Sequence, residues 1–355
     1  MPRSDAYLRS LTRVERVCAV GLDALTLRLQ LVEELRRAVA FDAYAWLLTD
    51  PQTSVGSAPL ADLPAPLLPE LPGLIRLKYL STVNRWTTLG RTPVALLQEA
   101  TCGDPDRSLL WREMLGPHGF GDVASGVFAD RFGCWGFLDL WRSGPTARFS
   151  SAEASYLTRA APTITAALRR SQAATFEIES HPAPALGPVV LLLSAGLDVR
   201  TQTPQTREYL RVLVPPSGDA PPIPASAYNV AAQLLAFEAG VDANVPSARV
   251  HFSDGVWVTL RAARIGESTA PDQRDIAVTI EVTPPRERAA VFASAYGLGT
   301  REREVLDHLV AGCDTRELAR RMVLSEHTVQ DHVKSIFAKT SAKSRGALVS
   351  RALGT

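Results

Sequence analysis

The C-terminal stretch from Gly297 to Thr355 constrains the fold most strongly, because its apolar residues recur at helical spacing in four short blocks. Thr300 can cap the first helix, and Gly312 stands where glycine commonly ends one. The expected starts of the next three helices are Thr315, Ser325 and Ser344. The apolar positions expected to pack together are Val305, Leu306, Leu309, Leu318, Ala319, Met322, Val329, Val333, Ile336, Leu348 and Val349. This pattern predicts a small all-α domain of four helices.

The third of these helices has one apolar and one polar face. At about 100° per residue, Val329, Val333 and Ile336 share the side that can pack on the first two helices. The opposite side is compact and polar, so its side chains can reach base edges, and a hydroxyl at the helix N-terminus can bond a phosphate. The candidate DNA-contacting residues are Arg316, Ser325, Thr328, Gln330, Asp331, Lys334, Lys339, Lys343 and Arg345.

This segment resembles the LuxR-type helix-turn-helix over about a sixth of the chain. The matching positions are Thr300 to Leu306, Gly312, Glu317 to Ala319, Ser325, Thr328, Val329, His332, Ile336, Lys339 and Arg345. The resemblance implies that the third helix enters the major groove of double-stranded DNA and that the fourth mediates dimer contacts. The alternative is a helical domain whose charged face is only solvated.

Two positions depart from the pattern of that family. A basic residue is usual where Gln330 stands, and Asn or Ser is usual where Thr315 stands. Asp331 also places a negative charge beside the expected groove. Gln330 suits adenine, Asp331 can accept from cytosine N4, and Lys334 can serve guanine or a phosphate. The DNA sequence therefore cannot be predicted from the resemblance.

The charge distribution agrees with a nucleic-acid-binding C-terminus. From Gly297 onward there are ten Lys or Arg and seven Asp or Glu, a net of +3, which leaves −2 for the rest of a chain whose total is +1. Four scattered cysteines without a CxxC pair, no visible signal peptide and no apolar run of bilayer length favour a cytoplasmic protein without membrane contact. No metal ligand set and no cofactor-binding motif is identified.

The first 175 residues resemble a GAF domain preceded by helices. Residues 1–40 predict two amphipathic helices, which either pack on the next domain or form a dimerising pair. Residues 41–175 follow the order of strands, a hairpin around residues 130–133 and a long helix opened by the capping box of Ser150 and Glu153. The resemblance implies an antiparallel sheet flanked by helices, with a small-molecule pocket on one sheet face.

Aromatic residues are the candidates for lining that pocket. Five of the six tryptophans lie between Trp46 and Trp141. Within the hairpin, Trp135, Phe137 and Trp141 are expected on one face and Leu138 and Leu140 on the other. The candidate effector-pocket residues are Trp46, Trp86, Trp111, Phe128, Trp135 and Phe137. Aromatic residues belong more often to a hydrophobic core than to a pocket, so the existence of a pocket is expected more strongly than the role of any one of these residues.

The remaining segments complete the expected domain order. Residues 176–188 contain the proline-rich run HPAPALGP and predict a linker. Residues 189–285 resemble a PAS domain in their order of strands and helices, and a ligand-free dimerising α+β domain is the alternative. Residues 286–296 predict a connector helix into the helix-turn-helix domain at 297–355. The fold class is therefore two α+β sensor domains followed by an all-α domain.

We therefore hypothesise a cytoplasmic, homodimeric transcription regulator that reads a two-fold DNA operator, with a small-molecule effector of unknown identity. A ligand-free regulator controlled by protein partners, RNA polymerase among them, is a second hypothesis. A third is an enzyme with Cys102 or Cys134 as the nucleophile, although no histidine and carboxylate arrangement supports it.

Overall fold

The computed structural model describes residues 2–89, 92–177, 189–213, 223–253, 255–267 and 274–354. Most of the predicted linker, residues 178–188, lies outside these described residues. The described chain forms two antiparallel sheets with flanking helices, followed by a helical C-terminal region, so the predicted fold class is confirmed.

The first sheet lies between two layers of helices. Its elements are α1 (Pro2–Ala19), α2 (Ala24–Ala38), β1 (Ala43–Thr49), β2 (Gly56–Asp62), α3 (Leu71–Leu80), β3 (Val94–Leu96), α4 (Leu97–Ala100), β4 (Phe120–Asp130), β5 (Gly133–Ser143) and α5 (Ser151–Ala174). The strands follow the order β2-β1-β5-β4-β3. Helices α1, α2 and α5 pack together around a core on one face. On the other face α3 contributes Leu74 and Leu77 to a second core.

The sequence predicted how helix α5 begins. The capping box is confirmed, because Ser150 Oγ accepts from Glu153 N at 3.3 Å and Ser150 N donates to Glu153 Oε2 at 2.7 Å. Pro162 lies inside α5 and does not end it. Before the hairpin, Val94–Leu96 form the short strand β3, and helix α4 begins directly after it at Leu97.

The hairpin of β4 and β5 contains a β-bulge that changes the expected faces. Phe128 pairs with Gly136 and Ala129 pairs with Cys134, so Trp135 is the extra residue on β5. Trp135 consequently packs in the core that α5 shares with Leu138 and Leu140. The prediction that Trp135 shares a face with Phe137 and Trp141 is therefore wrong.

The second sheet has the same strand order as the first. Its elements are β6 (Val189–Leu193), β7 (Val199–Gln202), α6 (Thr206–Leu213), α7 (Ala225–Glu238), β8 (Ser247–Ser253), β9 (Val256–Ile265) and β10 (Asp275–Val282). The order β7-β6-β10-β9-β8 repeats the arrangement of the first five strands. Helix α7 contacts β9 and β10 on one side and α3 and β2 on the other. That double contact explains why α7 is apolar nearly all round.

Buried ion pairs join the two sheet domains. Arg249 on β8 donates from Nε and Nη2 to the two carboxylate oxygens of Asp50, each at 2.6 Å. Asp50 is fully buried and Arg249 is 7% exposed. Arg85 forms a second pair with Asp242, with Nε 3.0 Å from Oδ2. The position of α7 against the first domain is therefore held by charged as well as apolar contacts.

The C-terminal region begins with α8 (Pro285–Ala295) and continues with four further helices, α9 (Thr300–Val310), α10 (Thr315–Met322), α11 (Glu326–Thr340) and α12 (Arg345–Leu353). Gly299, and not Thr300 as expected, occupies the cap position of α9. Gly312 follows that helix with a left-handed φ of 84°, as its placement predicted. Helix α12 packs against α8 and α9.

Candidate DNA-binding face and ligand cavity

Helices α10 and α11 are joined by a tight turn at residues 323–325. Val323 ends α10 in the left-handed conformation, with φ 56°, and its side chain lies almost wholly in solvent. Ser325 then caps α11, accepting a hydrogen bond at its Oγ from the Thr328 backbone N–H at 3.1 Å. This geometry fixes the direction in which α11 leaves the turn.

The polar and apolar sides of α11 separate as expected. Val329, Val333 and Ile336 are buried against the rest of the domain. Gln330, Asp331 and Lys334 are exposed on the other side. The four helices thus present a continuous polar helix face that is not covered by any of the described residues of this chain.

Contacts along this face moderate the charge of Asp331. Lys334 Nζ lies 3.4 Å from Asp331 Oδ1, and His327 Nε2 lies 3.6 Å from Asp331 Oδ2. All three side chains are more than half exposed, so these contacts are weak and can exchange for contacts with DNA. Lys343 is also exposed, just beyond the end of α11.

Other predicted DNA contacts lie near the turn. Arg316 is 87% exposed at its side chain, with Nε 3.6 Å from Glu326 Oε1. The hydroxyls of Ser325 and Thr328 lie 2.9 Å apart at the N-terminus of α11. The Ser325 hydroxyl already accepts the hydrogen bond that caps α11. A phosphate bound at this helix end would therefore have to share that hydroxyl with the cap.

Two of the predicted contacts are engaged inside the domain. Lys339 Nζ donates to Glu302 Oε1 and Oε2 at 2.8 and 2.6 Å, and Arg345 Nη2 donates to Thr315 Oγ1 at 2.6 Å. Glu302 also accepts from Ser335 Oγ at 2.6 Å and from Gly299 N at 2.6 Å. Lys339 thus joins α11 to α9, and Arg345 joins α12 to α10. The sequence analysis placed Glu302 only within the LuxR-type match and predicted no partner for its carboxylate.

The six aromatic residues predicted for an effector pocket are dispersed. Trp46 stacks on Phe128 at 5.2 Å in the core below α5. Trp111 donates from Nε1 to the Phe120 carbonyl at 2.8 Å. Trp135 Nε1 donates to Asp130 Oδ1 at 3.0 Å at the hairpin. These four side chains do not line the large cavity of the domain.

Trp86 and Phe137 are the two that lie at that cavity. Trp86 forms part of its wall, and Phe137 stacks behind Trp86 with ring centroids 4.6 Å apart. The cavity measures about 540 Å³ and lies between the first sheet, α3 and α7. The sequence analysis therefore expected a pocket on one face of the first sheet, and of its six candidate residues Trp86 lines the cavity.

The charged part of the cavity wall is a buried ion pair that the sequence analysis did not predict. Lys78 Nζ lies 2.8 Å from Asp139 Oδ2. Asp139 Oδ1 also accepts from Trp86 Nε1 at 2.9 Å, and Lys78 Nζ donates to Ser125 Oγ at 3.2 Å. Burial lowers the pKa of Lys78, while Asp139 acts in the opposite direction. A lone carboxylate within an otherwise apolar strand, as at Asp139, is the sequence signal that could have indicated this site.

The cysteines do not form a reactive arrangement in the part of the chain described. Burial raises the pKa of Cys134 to about 11, which disfavours the thiolate needed for nucleophilic attack. Cys102 is exposed on a turn. Across the described ranges, no group of three or more His, Cys, Asp or Glu side chains is arranged to hold a metal ion. None of the helices in those ranges is long and apolar enough to cross a membrane.

Comparisons with known proteins identify the C-terminal region. Residues 297–352 match the family model of bacterial regulatory proteins of the luxR family. A search of curated proteins finds no match to this chain. Among solved structures, the chain is similar to one in the crystal structure of the E. coli DhaR(N)–DhaL complex, with 11% identity over 79% of this chain and 89% of that chain. The TM-score is 0.25, and this likeness carries no argument about function.

Proposed function

Because residues 297–352 form a LuxR-family helix-turn-helix domain in a DNA-binding transcription regulator, we propose that the chain is a homodimeric one-component sensor acting in the cytoplasm. Helix α11 is the recognition helix, and the N-terminal domains bind a small molecule that alters DNA binding. The observation that carries this proposal is the uncovered polar face of α11, on a domain whose opposite face is buried.

The chemistry of that face supports reading of base edges. Gln330 can make a bidentate contact to adenine, and Lys334 can contact guanine or a phosphate. Thr328 lies at the N-terminus of α11, where the helix dipole favours a phosphate. In a dimer, two such helices about one helical turn apart, ~34 Å, would read a two-fold operator.

Exposed leucines on the N-terminal helices support a dimer. Leu8 on α1 is 49% exposed, and Leu25 and Leu29 on α2 are 52% and 45% exposed. Leu25 and Leu29 are four residues apart and therefore share one face of α2. This surface is the proposed dimer contact, together with the contact by α12 that the LuxR resemblance implies.

Selection of bound duplexes from a random DNA library by purified full-length protein tests the DNA-reading role. We expect enrichment of a two-fold symmetric motif by the wild type, and loss of enrichment in Lys334→Ala and Thr328→Ala with unchanged circular dichroism. Arg200→Ala, which removes a positive charge from an exposed site on β7, is the matched control and should retain the motif. Folded Lys334→Ala and Thr328→Ala proteins that select the wild-type motif would refute α11 as the recognition helix.

A further inference from the structure

We infer that the cavity between the first sheet, α3 and α7 binds a neutral, largely apolar molecule with a single polar group, which hydrogen-bonds to the Lys78–Asp139 pair. The inference rests on the proposed function for its regulatory meaning, since it names the class of effector, but its chemistry follows from the cavity alone.

The size and lining of the cavity fit an organic ligand. Its volume of about 540 Å³ falls within the range of small-molecule sites, ~300–1,000 Å³. Most of the lining is aliphatic or aromatic. Leucines from β2, α3 and the segments beside them form much of the wall, namely Leu60, Leu63, Leu68, Leu71 and Leu74. A ligand that fills this space must therefore present mainly apolar surface.

The ion pair sets the charge of the ligand. A charged group beside the pair would be attracted by one partner and repelled by the other, because Lys78 and Asp139 lie only 2.8 Å apart. Such a group would also lose its hydration on entering an apolar space, so its net binding would be unfavourable. Among the residues that the structure describes, Lys78 and Asp139 are the charged side chains that line the cavity. Electroneutrality of the site therefore favours a neutral ligand.

The same pair can hold one polar group in place. Within the described residues, Asp139 Oδ2 accepts only from Lys78, whereas Oδ1 accepts from both Lys78 and Trp86. A ligand hydroxyl or N–H can donate to Oδ2. The ammonium of Lys78 lies 4.2 Å from the centroid of the Trp86 ring, so the indole face forms a flat boundary beside this polar group. The polar end of the ligand is thereby oriented toward the sheet.

The second domain supplies the far wall of the cavity. Ala225 and Asn229 of α7 line it, together with Ile223 just before that helix. The hydroxyl of Tyr79 on α3, which also lines the cavity, accepts a hydrogen bond from Gly56 N at 3.0 Å, and this bond holds that part of the wall in place. A ligand here touches both sheet domains, and its binding therefore stabilises their contact.

Two fluorescent probes that differ by one charged group test the ligand class. N-phenyl-1-naphthylamine is neutral with a single N–H, and 1-anilinonaphthalene-8-sulfonate is the same molecule with a sulfonate added. We expect the full-length protein to bind the neutral probe at least about tenfold more tightly, which corresponds to about 1.4 kcal/mol. Ala45→Phe, which places a ring in the cavity from β1, should abolish binding of the neutral probe.

Ala263→Phe is the matched control, because it makes the same change at an exposed position on β9 away from the cavity. It should bind the neutral probe as the wild type does. If Ala45→Phe does not fold, Ala61→Phe at the exposed rim of the same cavity replaces it. Equal or tighter binding of the sulfonate by the wild type, or wild-type binding of the neutral probe by the folded cavity variant, would overturn the inference.

The DNA selection experiment, run on the same wild-type preparation, separates this inference from the proposed function. Tighter binding of the neutral probe without any enriched DNA motif would contradict the proposed regulator and support a neutral, largely apolar ligand. An enriched motif without probe selectivity supports the regulator and refutes the ligand class.

Discussion

Glu302 links helix α9 to helix α11 through several hydrogen bonds. Its carboxylate accepts hydrogen bonds from Lys339 and Ser335 of α11 and from the backbone of Gly299. Burial alone would raise the pKa of Glu302, but these hydrogen bonds, chiefly from Lys339, hold it below its ordinary value. The ionised carboxylate therefore stabilises the folded domain, and protonation removes that contribution.

We predict that Glu302→Gln destabilises the domain at pH 7 and that the difference from wild type shrinks in acid. The contribution exists above the unfolded-state pKa of a glutamate, about 4.3, and is lost as pH falls through the lower folded-state pKa. Hydrogen bonds to charged groups contribute about 1.5–3 kcal/mol. Thermal melts by circular dichroism between pH 3 and pH 7 measure the difference. Glu304→Gln, whose carboxylate pairs with exposed Arg301, is the control and should change little. A constant Glu302→Gln deficit across this pH range would contradict the account.

Val323 holds a conformation that its side chain disfavours. Its φ of 56° is left-handed, and its side chain is 89% exposed, so little packing offsets the steric cost. We predict that Val323→Gly stabilises the helix-turn-helix by about 1 kcal/mol. Hydrogen exchange of α10 and α11 amides in the full-length protein measures the effect. Val349→Gly, the same change within helical α12, should destabilise instead. Faster exchange in Val323→Gly would show that the turn is not strained.

Residue roles were predictable only where the partner is close in sequence. The caps at Ser150 and Ser325 follow from residues within one turn, and both are present. The partners of Lys78 and Lys339 lie 61 and 37 residues away, and no local pattern specifies such pairs. Lys339 was consequently assigned to DNA from its helix alone, although its ammonium lies against Glu302.

At the scale of elements, the helical spacing of apolar residues predicted the helices of the C-terminal domain closely, because each of these helices buries one apolar face. Helix α11 was expected from Ser325 to about Thr340 and spans Glu326–Thr340. The bulge at Trp135 was not predictable, because an extra residue leaves the alternating pattern of the strand intact in sequence. The position of helix α7 against α3 was not predictable either, because it depends on residues far away in the chain.

We predict that exposed leucines on α2 hold the proposed dimer together. Leu25→Ser combined with Leu29→Ser removes two exposed apolar side chains from one helix face and should raise the dimer dissociation constant at least about tenfold. Light scattering coupled to size-exclusion chromatography measures the mass across a concentration series. Val245→Ser with Val282→Ser, which removes two comparably exposed side chains from the second domain, is the control. An unchanged dimer in the α2 variant would place the interface elsewhere.

At the scale of the whole molecule, three domains meet at one aromatic cluster. Phe176, just after α5, stacks on Trp257 of β9 with centroids 4.9 Å apart and meets Phe292 of α8 edge-on at 5.4 Å. Arg288 of α8 lies over the Phe176 ring at 4.8 Å and donates to the carbonyl of Arg351 in α12. These direct contacts join the two sheet domains to the C-terminal domain.

We predict that the docking of the two sheet domains depends on the Asp50–Arg249 pair. Asp50→Asn leaves the Arg249 guanidinium buried without its countercharge, which typically costs about 3–5 kcal/mol. Denaturant unfolding of the full-length protein measures the loss. Asp62→Asn is the control, because its exposed pair with Arg36 should contribute about 0–1 kcal/mol. Equal losses in the two variants would mean that the buried pair does not hold the domains together.

We propose that occupancy of the cavity controls DNA binding by α11. The most direct test denatures the purified protein, identifies released small molecules by mass spectrometry, and compares the operator affinity of protein before and after stripping. We predict a stoichiometric neutral compound whose removal changes operator affinity by about 5-fold or more, the usual scale of allosteric coupling. A protein that yields no compound, or one whose operator affinity is the same with and without it, would contradict the claim.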